Sequence, residues 1–364
     1  MTAAVPEQMS AVLLTGYGGL DKLQYRSDVR VPAPQPGEVL IRVAAAGVNN
    51  TDINTRLGWY SKSVTAATDR MHTAGISEVQ ACEAVWPSQA LTFPRIQGAD
   101  VCGTIAAVGE GVEKSRIGER VIVVPMQRSP VPDGQAAAWT LGADGDGGFA
   151  QFVKCNAIEV FAIDSRYSDC ELASFPCAYS TAENLLHHAA VRAGETILVT
   201  GASGGVGSAA IQLAKRRGAQ IVAVAAAGKA DQLLALGAAR SVPRGEPLLD
   251  HVPAGSVDVV IDIVAGPQFA ALLEVLRPGG RYAVAGAIAG PMVELDVRTL
   301  YLKDLTLLGR TLQERNIFAD LVGYIEREEI KPLVAKTYPL RDIAQAQTDF
   351  MAKTFVGKLV LYPE

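Results

Sequence analysis

The feature that most restricts this 364-residue chain is a strand running straight into a glycine-rich loop and then a helix. Glu195 to Thr200 reads as a buried strand. Gly201-Ala-Ser-Gly-Gly-Val-Gly207 is the loop, and Gly205 to Arg217 has helical periodicity until Gly218 stops it. A dinucleotide site needs this order: the strand aims the chain, small residues let backbone approach a pyrophosphate, and the helix start offers unpaired N–H groups. Gly204 and Gly207 fill the second and third glycine positions of that fingerprint, and Ala202 stands at the first. Ala202, Ser203, Gly204, Gly205, Val206 and Gly207 are therefore the expected phosphate cradle. A turn that merely packs helix on strand is the alternative; the further strand at Gln220 to Ala225 favours a cofactor.

The end of that next strand bears on which cofactor. An acid there holds a ribose 2′-hydroxyl, but the chain reads Ala223-Val-Ala-Ala-Ala-Gly-Lys229. Lys229 would attract a 2′-phosphate, a contact worth about 1.5–3 kcal/mol, or roughly one to two decades of preference. NADP(H) is the expected cofactor, with a solvated Lys229 as the alternative.

Two patterns divide the chain. Ala11–Leu14, Val39–Val43, Val101–Val108, Arg120–Val124 and Phe149–Lys154 are short apolar runs bounded by Gly, Pro or Asp, the mark of a barrel-like β domain. Beyond Phe161 strands alternate with helices, which predicts a parallel sheet: helices over Thr181–Ala190, 205–217 and Lys229–Leu236, strands at 195–200, 220–225, Val257–Ile263, Arg281–Val284 and Leu305–Leu308. The tail carries a helix, Ile317–Arg327, and a closing strand, Lys358–Leu361. The expected fold is α/β, with a catalytic β domain over 1–160 and 312–364 and a doubly wound cofactor domain over 161–311. The interval 61–92 fits neither pattern; part of it (76–85) reads as a helix, and a connection that long is usually functional.

Composition excludes other classes. Lys plus Arg total 33 against 38 for Asp plus Glu, a net charge of −5, which argues against nucleic acid or an anionic membrane as partner. Met1 to Ser10 has neither the basic residues nor the apolar run of a secretory signal, and no stretch is long enough to span a membrane. A cytoplasmic enzyme with a small-molecule substrate is expected. The five cysteines are scattered without a C-x-x-C pair, so no disulfide framework is expected.

The chain resembles the medium-chain dehydrogenase/reductase superfamily over nearly its whole length. The landmarks are Pro36-Gly-Glu-Val-Leu-Ile-Arg-Val43, Ala46-Gly-Val-Asn-Asn-Thr-Asp52, Gly98-Ala-Asp100, Ile117-Gly-Glu-Arg-Val121, Gly147-Gly-Phe-Ala150, Ser180-Thr-Ala182 and the glycine loop. It looks most like the zinc-free quinone oxidoreductase and enoyl reductase branch. The resemblance implies a GroES-like catalytic domain, a Rossmann domain, a cleft between them and a homodimer. In the zinc alcohol dehydrogenases of this superfamily a Cys, a His and a second Cys hold the catalytic metal; the matching positions here are Asn49, Ala99 and Cys177. Catalytic zinc needs three protein ligands, and Cys177 with Asp100 supplies two. Recruiting His72 from the insert is the remaining route. The cysteines of a structural zinc lobe are missing too, since none lies between Cys102 and Cys155. No metal is expected.

In enoyl reductases of the zinc-free branch a tyrosine two residues after a glycine is the proposed acid, which maps onto Tyr60. A phenol stays protonated at neutral pH and can protonate an enolate carbon; a half-buried aromatic is the competing reading. Asn49 or Asn50 would donate an amide N–H to the substrate carbonyl, or simply form a turn. Asp52 is expected to cap a helix over Ile53–Leu57, and Arg56 to pair with it at i, i+4, with a contact to the cofactor as the alternative. Thr181 resembles the hydroxyl that relatives place beside the nicotinamide ribose, and is equally an N-cap. Gly286, Ala287, Gly309, Arg310 and Thr311 end late strands where relatives contact nicotinamide. Trp59, Trp86, Trp139 and Phe93 are expected to wall an apolar pocket or to be local core. The expected activity is NADPH-dependent reduction of an α,β-unsaturated carbonyl or a quinone. The alternatives are a zinc-independent alcohol or carbonyl oxidoreductase and a non-catalytic NADPH-binding protein.

Overall fold

A computed structural model describes residues 5–74, 85–86, 89–129 and 137–364. Most of the expected helix over 76–85 lies outside the described residues, and so do the side chains of His72 and Trp86.

The chain opens with a hairpin of β1 (Gln8–Leu14) and β2 (Leu23–Arg30), then β3 (Glu38–Val48), the long central strand of the first half. Two helices follow, α1 (Asn50–Leu57) and α2 (Thr68–Ala74). Next come two-residue strands β4 (Val85–Trp86), β5 (Gln89–Ala90) and β6 (Arg95–Ile96). Strands β7 (Cys102–Val108) and β8 (Arg120–Val123) precede a hairpin, β9 (Met126–Ser129) with β10 (Ala137–Thr140). Strands β11 (Phe152–Asn156) and β12 (Val160–Ala162) complete this half. The apolar alternation read from Val39 to Val43 continues to Val48, because β3 has neighbours on both edges: β7 and β11 at one end, the C-terminal strand at the other. β12 pairs with β8, so the first sheet extends to Ala162.

Helices α3 (Asp169–Leu172) and α4 (Pro176–His188) lead into the second sheet. Pro176 starts α4 five residues before Thr181, the residue expected to open it; proline suits a first helical turn because its missing N–H is unpaired there anyway. The second half then runs β13 (Thr196–Val199), α5 (Gly205–Arg216), β14 (Gln220–Ala225), α6 (Ala230–Leu236), β15 (Arg240–Pro243), α7 (Leu248–His251), β16 (Val257–Asp262), α8 (Phe269–Val275), β17 (Leu276–Val284), α9 (Val297–Leu302) and β18 (Thr306–Gly309). The spatial order is β15-β14-β13-β16-β17-β18, all parallel. In order of appearance that is 3-2-1-4-5-6, the doubly wound Rossmann arrangement, whose ligand crevice lies outside the carboxyl ends of the strands.

The tail returns to the first half: α10 (Arg315–Glu326), β19 (Val334–Pro339), α11 (Ile343–Ala352) and β20 (Lys358–Tyr362), which pairs antiparallel with β3. The buried apolar residues form three clusters, the largest of which also draws in Ala45, Cys102 and Ile122 of the first half. One centres on Ile41, Ile105, Phe149 and Phe152, and the other two line both faces of the parallel sheet with Ile197, Val199, Ile211, Ile261 and Leu272. Gly357, at φ +92°, turns the chain into β20 just where Gly357 N donates to Ser203 O of the glycine loop at 3.0 Å. The last strand is thus tied to both halves.

Candidate active site

The glycine loop sits at the carboxyl end of β13. A Cβ on Gly207 would strike the Gly201 carbonyl, and one on Gly205 would meet Lys358 Cδ at 2.8 Å and Ala178 Cβ at 3.2 Å. Gly204 is the N-cap of α5 and no side chain caps it, so the first N–H groups of that helix are left for another acceptor. Gly286 lies against the Ile263 carbonyl after β16, and Arg310 N donates to Val284 O at 3.0 Å. The parallel order therefore brings the loop, Gly286, Ala287, Gly309, Arg310 and Thr311 to one edge of the sheet.

Thr181 lies inside α4 rather than at its cap. Its Oγ1 accepts from Gln313 Nε2 at 3.5 Å, and Asn184 Nδ2 donates to Leu312 O at 3.2 Å, so α4 and the segment after β18 form one wall. Gln313 Oε1 and Asn184 Oδ1 are buried with no partner among the described residues. Two buried acceptors on this wall and the uncapped N–H groups of α5 are features a nicotinamide dinucleotide fits, an amide donor for the first and a phosphate for the second.

Lys229 is held by neutral acceptors: its Nζ donates to Phe355 O at 2.6 Å, Lys353 O at 2.7 Å and Ser203 Oγ at 3.3 Å. Burial and the Arg244 charge lower its pKa, and no acid is among the causes of that shift. The lysine expected to wait in solvent for a phosphate is therefore also a strap between the glycine loop and the tail.

A buried polar network lies against the glycine loop, where Lys358 Cδ packs on Gly205. Lys358 Nζ donates to Asp100 Oδ2 at 2.7 Å and to Asn49 Oδ1. Asn49 Nδ2 donates to the same Asp100 oxygen at 2.8 Å and to Gly47 O at 3.3 Å, while Cys177 N donates to Asp100 Oδ1 at 2.5 Å. Asn49 thus has both ends of its amide engaged, which corrects the expectation that it faces a substrate carbonyl; satisfying the buried Asp100 and Lys358 takes precedence. Asn50, the first residue of α1, is only half-buried and makes no side-chain hydrogen bond among the described residues.

Asn49, not Asp52, is the N-cap of α1. Asp52 is the third helical residue and reaches back to accept from Asn49 N at 2.7 Å and from Gly98 N at 3.3 Å. Burial pushes its carboxyl up to about 7, against the pull of those N–H groups and of Lys358. Nor does Arg56 pair with Asp52. It is fully buried and donates to Gln347 Oε1 at 2.8 Å and Gly18 O at 2.6 Å, joining α1 to α11 and to the β1–β2 turn.

Tyr60 is half-buried, its hydroxyl 3.3 Å from Thr51 Oγ1. Burial raises the phenol pKa, with Cys177 and Asp52 among the lesser causes, so Tyr60 stands beside the buried network. Burial also pushes the Cys177 thiol up to about 12. Trp59 is buried edge-on to Tyr60, with Nε1 donating to Ala66 O at 2.9 Å. Trp139 packs over Gly145, and Phe93 meets Tyr17 edge-on at 4.9 Å.

The alcohol dehydrogenase GroES-like domain family matches residues 35–165, and the zinc-binding dehydrogenase family matches 205–327. The mouse (Mus musculus) quinone oxidoreductase is 30% identical, with 97% of each chain covered. The chain belongs to the medium-chain dehydrogenase/reductase superfamily. It falls on the quinone oxidoreductase and enoyl reductase-like branch and is an oxidoreductase. The acryloyl-coenzyme A reductase of Metallosphaera sedula is 28% identical over 97% of this chain and 99% of its own. A Sinorhizobium meliloti 1021 protein, provisionally assigned as an alcohol dehydrogenase, is 48% identical, with a TM-score of 0.86 over 99% of this chain and 98% of that one.

For a medium-chain dehydrogenase/reductase the Rossmann and GroES-like halves are the expected pair. The zinc in the second family's name finds no three-ligand cluster among the described residues. Asn49 and Ala99 are not zinc ligands of the usual kind, and among the described residues no three His, Cys, Asp or Glu side chains gather as a metal site. The sequence reading did not single out Lys358 or Gln313. The available signal for Lys358 was a charge opening an otherwise apolar strand, Lys358-Leu-Val-Leu361. No described helix is long and apolar enough to cross a membrane.

Proposed function

We propose that this chain is an NADP(H)-dependent reductase of α,β-unsaturated carbonyls or quinones that works without zinc, with Tyr60 as proton donor. The observation that carries this reading is the Lys358–Asp100–Asn49 network. It commits the Asn49 amide and the Asp100 carboxylate to each other and to an ammonium, and among the described residues no other His, Cys, Asp or Glu cluster offers a Lewis acid its ligands. An alkoxide intermediate would lack its main stabiliser there, whereas reduction of an activated alkene needs only a hydride and a proton. The quinone oxidoreductase and acryloyl-coenzyme A reductase relatives point the same way.

The bound dinucleotide supplies the hydride. The chain's residues do the rest: the glycine loop and the start of α5 hold phosphate, Lys229 at Ser203 attracts the 2′-phosphate, and Thr181 and Gln313 line the opposite wall. Hydride addition at the β-carbon leaves an enolate, and the Tyr60 phenol, kept protonated by burial, passes its proton to the α-carbon. Asn50, with no side-chain hydrogen bond among the described residues, is the amide available to the substrate oxygen. The catalytic domain in this reading comprises 1–160 and 312–364, and the cofactor domain 161–311.

The molecule would act as a homodimer joined at β18. That strand pairs only with β17 among the described residues; Met292, Val297, Tyr301 and Leu302 lie exposed in the segment leading into it, Leu302 at 70%, and Leu307 is exposed on the strand itself. The test is NADPH oxidation against a panel of quinones, enones and aldehydes, with metal content assayed on the same sample. Turnover of enones or quinones by metal-free protein supports the reading. Turnover confined to aldehydes, or about one equivalent of zinc, overturns it and favours the alcohol dehydrogenase chemistry ascribed to the Sinorhizobium protein.

A further inference from the structure

We propose that residues 61–68 form a clasp across the cleft, and that its backbone bridge to Ile288 restricts the site to small, carrier-free substrates. The restriction rests on the reductase reading; the bridge does not. The segment begins where Tyr60 ends and folds back over α1. Ser61 N donates to Gly58 O at 3.2 Å, Val64 N to Ser61 O at 3.0 Å, and the Trp59 indole to Ala66 O at 2.9 Å. At its far end Thr68 Oγ1 donates to Asn54 Oδ1 at 3.0 Å, a buried bond to the helix that carries the site. Ser61 and Thr68 are each only 3% exposed. These anchors make 61–68 a packed part of the catalytic half.

From that footing the segment reaches the other half. Thr68 N donates to Ile288 O at 3.1 Å, and the Cβ position of Gly290 lies 3.8 Å from Thr65 O. Ile288 belongs to the turn after β17 that also carries Gly286 and Ala287, at the carboxyl edge where the cofactor is expected. A hydrogen bond therefore closes between the element bearing the proton donor and the turn on the hydride side. A buried N–H has no better partner than the carbonyl it already has, so the bridge resists opening. An acyl group between Tyr60 and that turn is walled by the clasp on this side, and a pantetheine arm must open it. The acceptor is accordingly a free enone or quinone, not a coenzyme A thioester of the kind named for the Metallosphaera relative.

Thr68 is the first residue of α2, where proline is tolerated, so Thr68→Pro deletes the bridging N–H without breaking the helix. Thr68→Ala keeps that N–H and loses only the hydroxyl bond. Both variants are compared with wild type, loaded with NADPH, on crotonyl-coenzyme A and on S-ethyl crotonothioate, which share a reacting group and differ in carrier. Wild type and Thr68→Ala should favour the ethyl thioester in kcat/KM, and Thr68→Pro should narrow that preference by about fivefold, the factor one net hydrogen bond is worth. Equal use of both thioesters by wild type, or the same ratio in the two variants, overturns the proposal. If no enone, quinone or thioester is reduced, the reductase reading fails and the carrier restriction with it. NADPH release then decides the bridge: faster from Thr68→Pro than from Thr68→Ala if it holds the cleft, equal if not. Amide exchange at Thr68 in wild-type protein needs no variant. Protection that grows on NADPH binding supports the clasp, and exchange at the unprotected rate refutes it.

Discussion

Lys358 and Asp100 form an ion pair at 2.7 Å whose side chains are 3% and 0% exposed, joining the first residue of the last strand to a loop 258 residues earlier. Removing one partner of a buried pair strands the other charge, at a typical cost of about 3–5 kcal/mol. Lys358→Met should lower unfolding stability by about that much in chemical denaturation. Adding Asp100→Asn should recover part of the loss, because the stranded carboxylate goes with it. Additive losses in the double variant would show that the two side chains are not coupled.

Asp52 links folding to pH. Its ordinary value is 3.8 and burial pushes it up to about 7, so the native state keeps this proton after the unfolded chain has released it. For this group stability is therefore greatest below the lower value and falls as pH rises through the interval up to about 7. Asp52→Asn should flatten the decline in urea midpoint over that range. An unchanged slope would assign the decline to other groups.

Tyr60→Phe removes the proposed proton donor and leaves the ring against Trp59. Rates with enones should fall about 10²–10⁴-fold in kcat, with KM nearly constant, as expected for loss of a general acid. Steady-state kinetics on a single enone suffice, and full activity would assign the proton to water.

The neutral partners of Lys229 give it two roles that kinetics can separate. Lys229→Ala should weaken NADPH binding by roughly one to two decades and leave NADH nearly unchanged if it meets a 2′-phosphate. Equal losses for both cofactors in a binding titration would leave only its strap to Lys353 and Phe355.

The exposed apolar residues before β18 predict the assembly. A charge at Leu302, as in Leu302→Glu, should yield a monomer in light scattering without shifting the circular dichroism spectrum. A wild-type monomer would refute the dimer directly.

Local patterns carried far. β14 begins and ends where its apolar run does, at Gln220 and Ala225, and α5 follows the glycine loop as the periodicity requires. β15 and β19 escaped notice because both are edge strands with exposed polar side chains and a terminal proline, so nothing alternates. α1 starts three residues early because Asp52 serves the helix from inside its first turn, an arrangement with the same composition as an N-cap. Arg56 looked like a surface partner for Asp52, since sequence spacing cannot show that α11 will cover it.

The sequence by itself determined the strand–loop–helix of the cofactor half and the two architectures, because each depends on residues near one another or on residue type alone. Only the tertiary structure decided that Lys358 meets Asn49 and Asp100, that the Asn49 amide is spent inside, and that Thr68 closes on Ile288. Those pairings join segments up to 309 residues apart. What selects them is burial: once water is excluded, each polar group must take whichever partner the packing brings within reach.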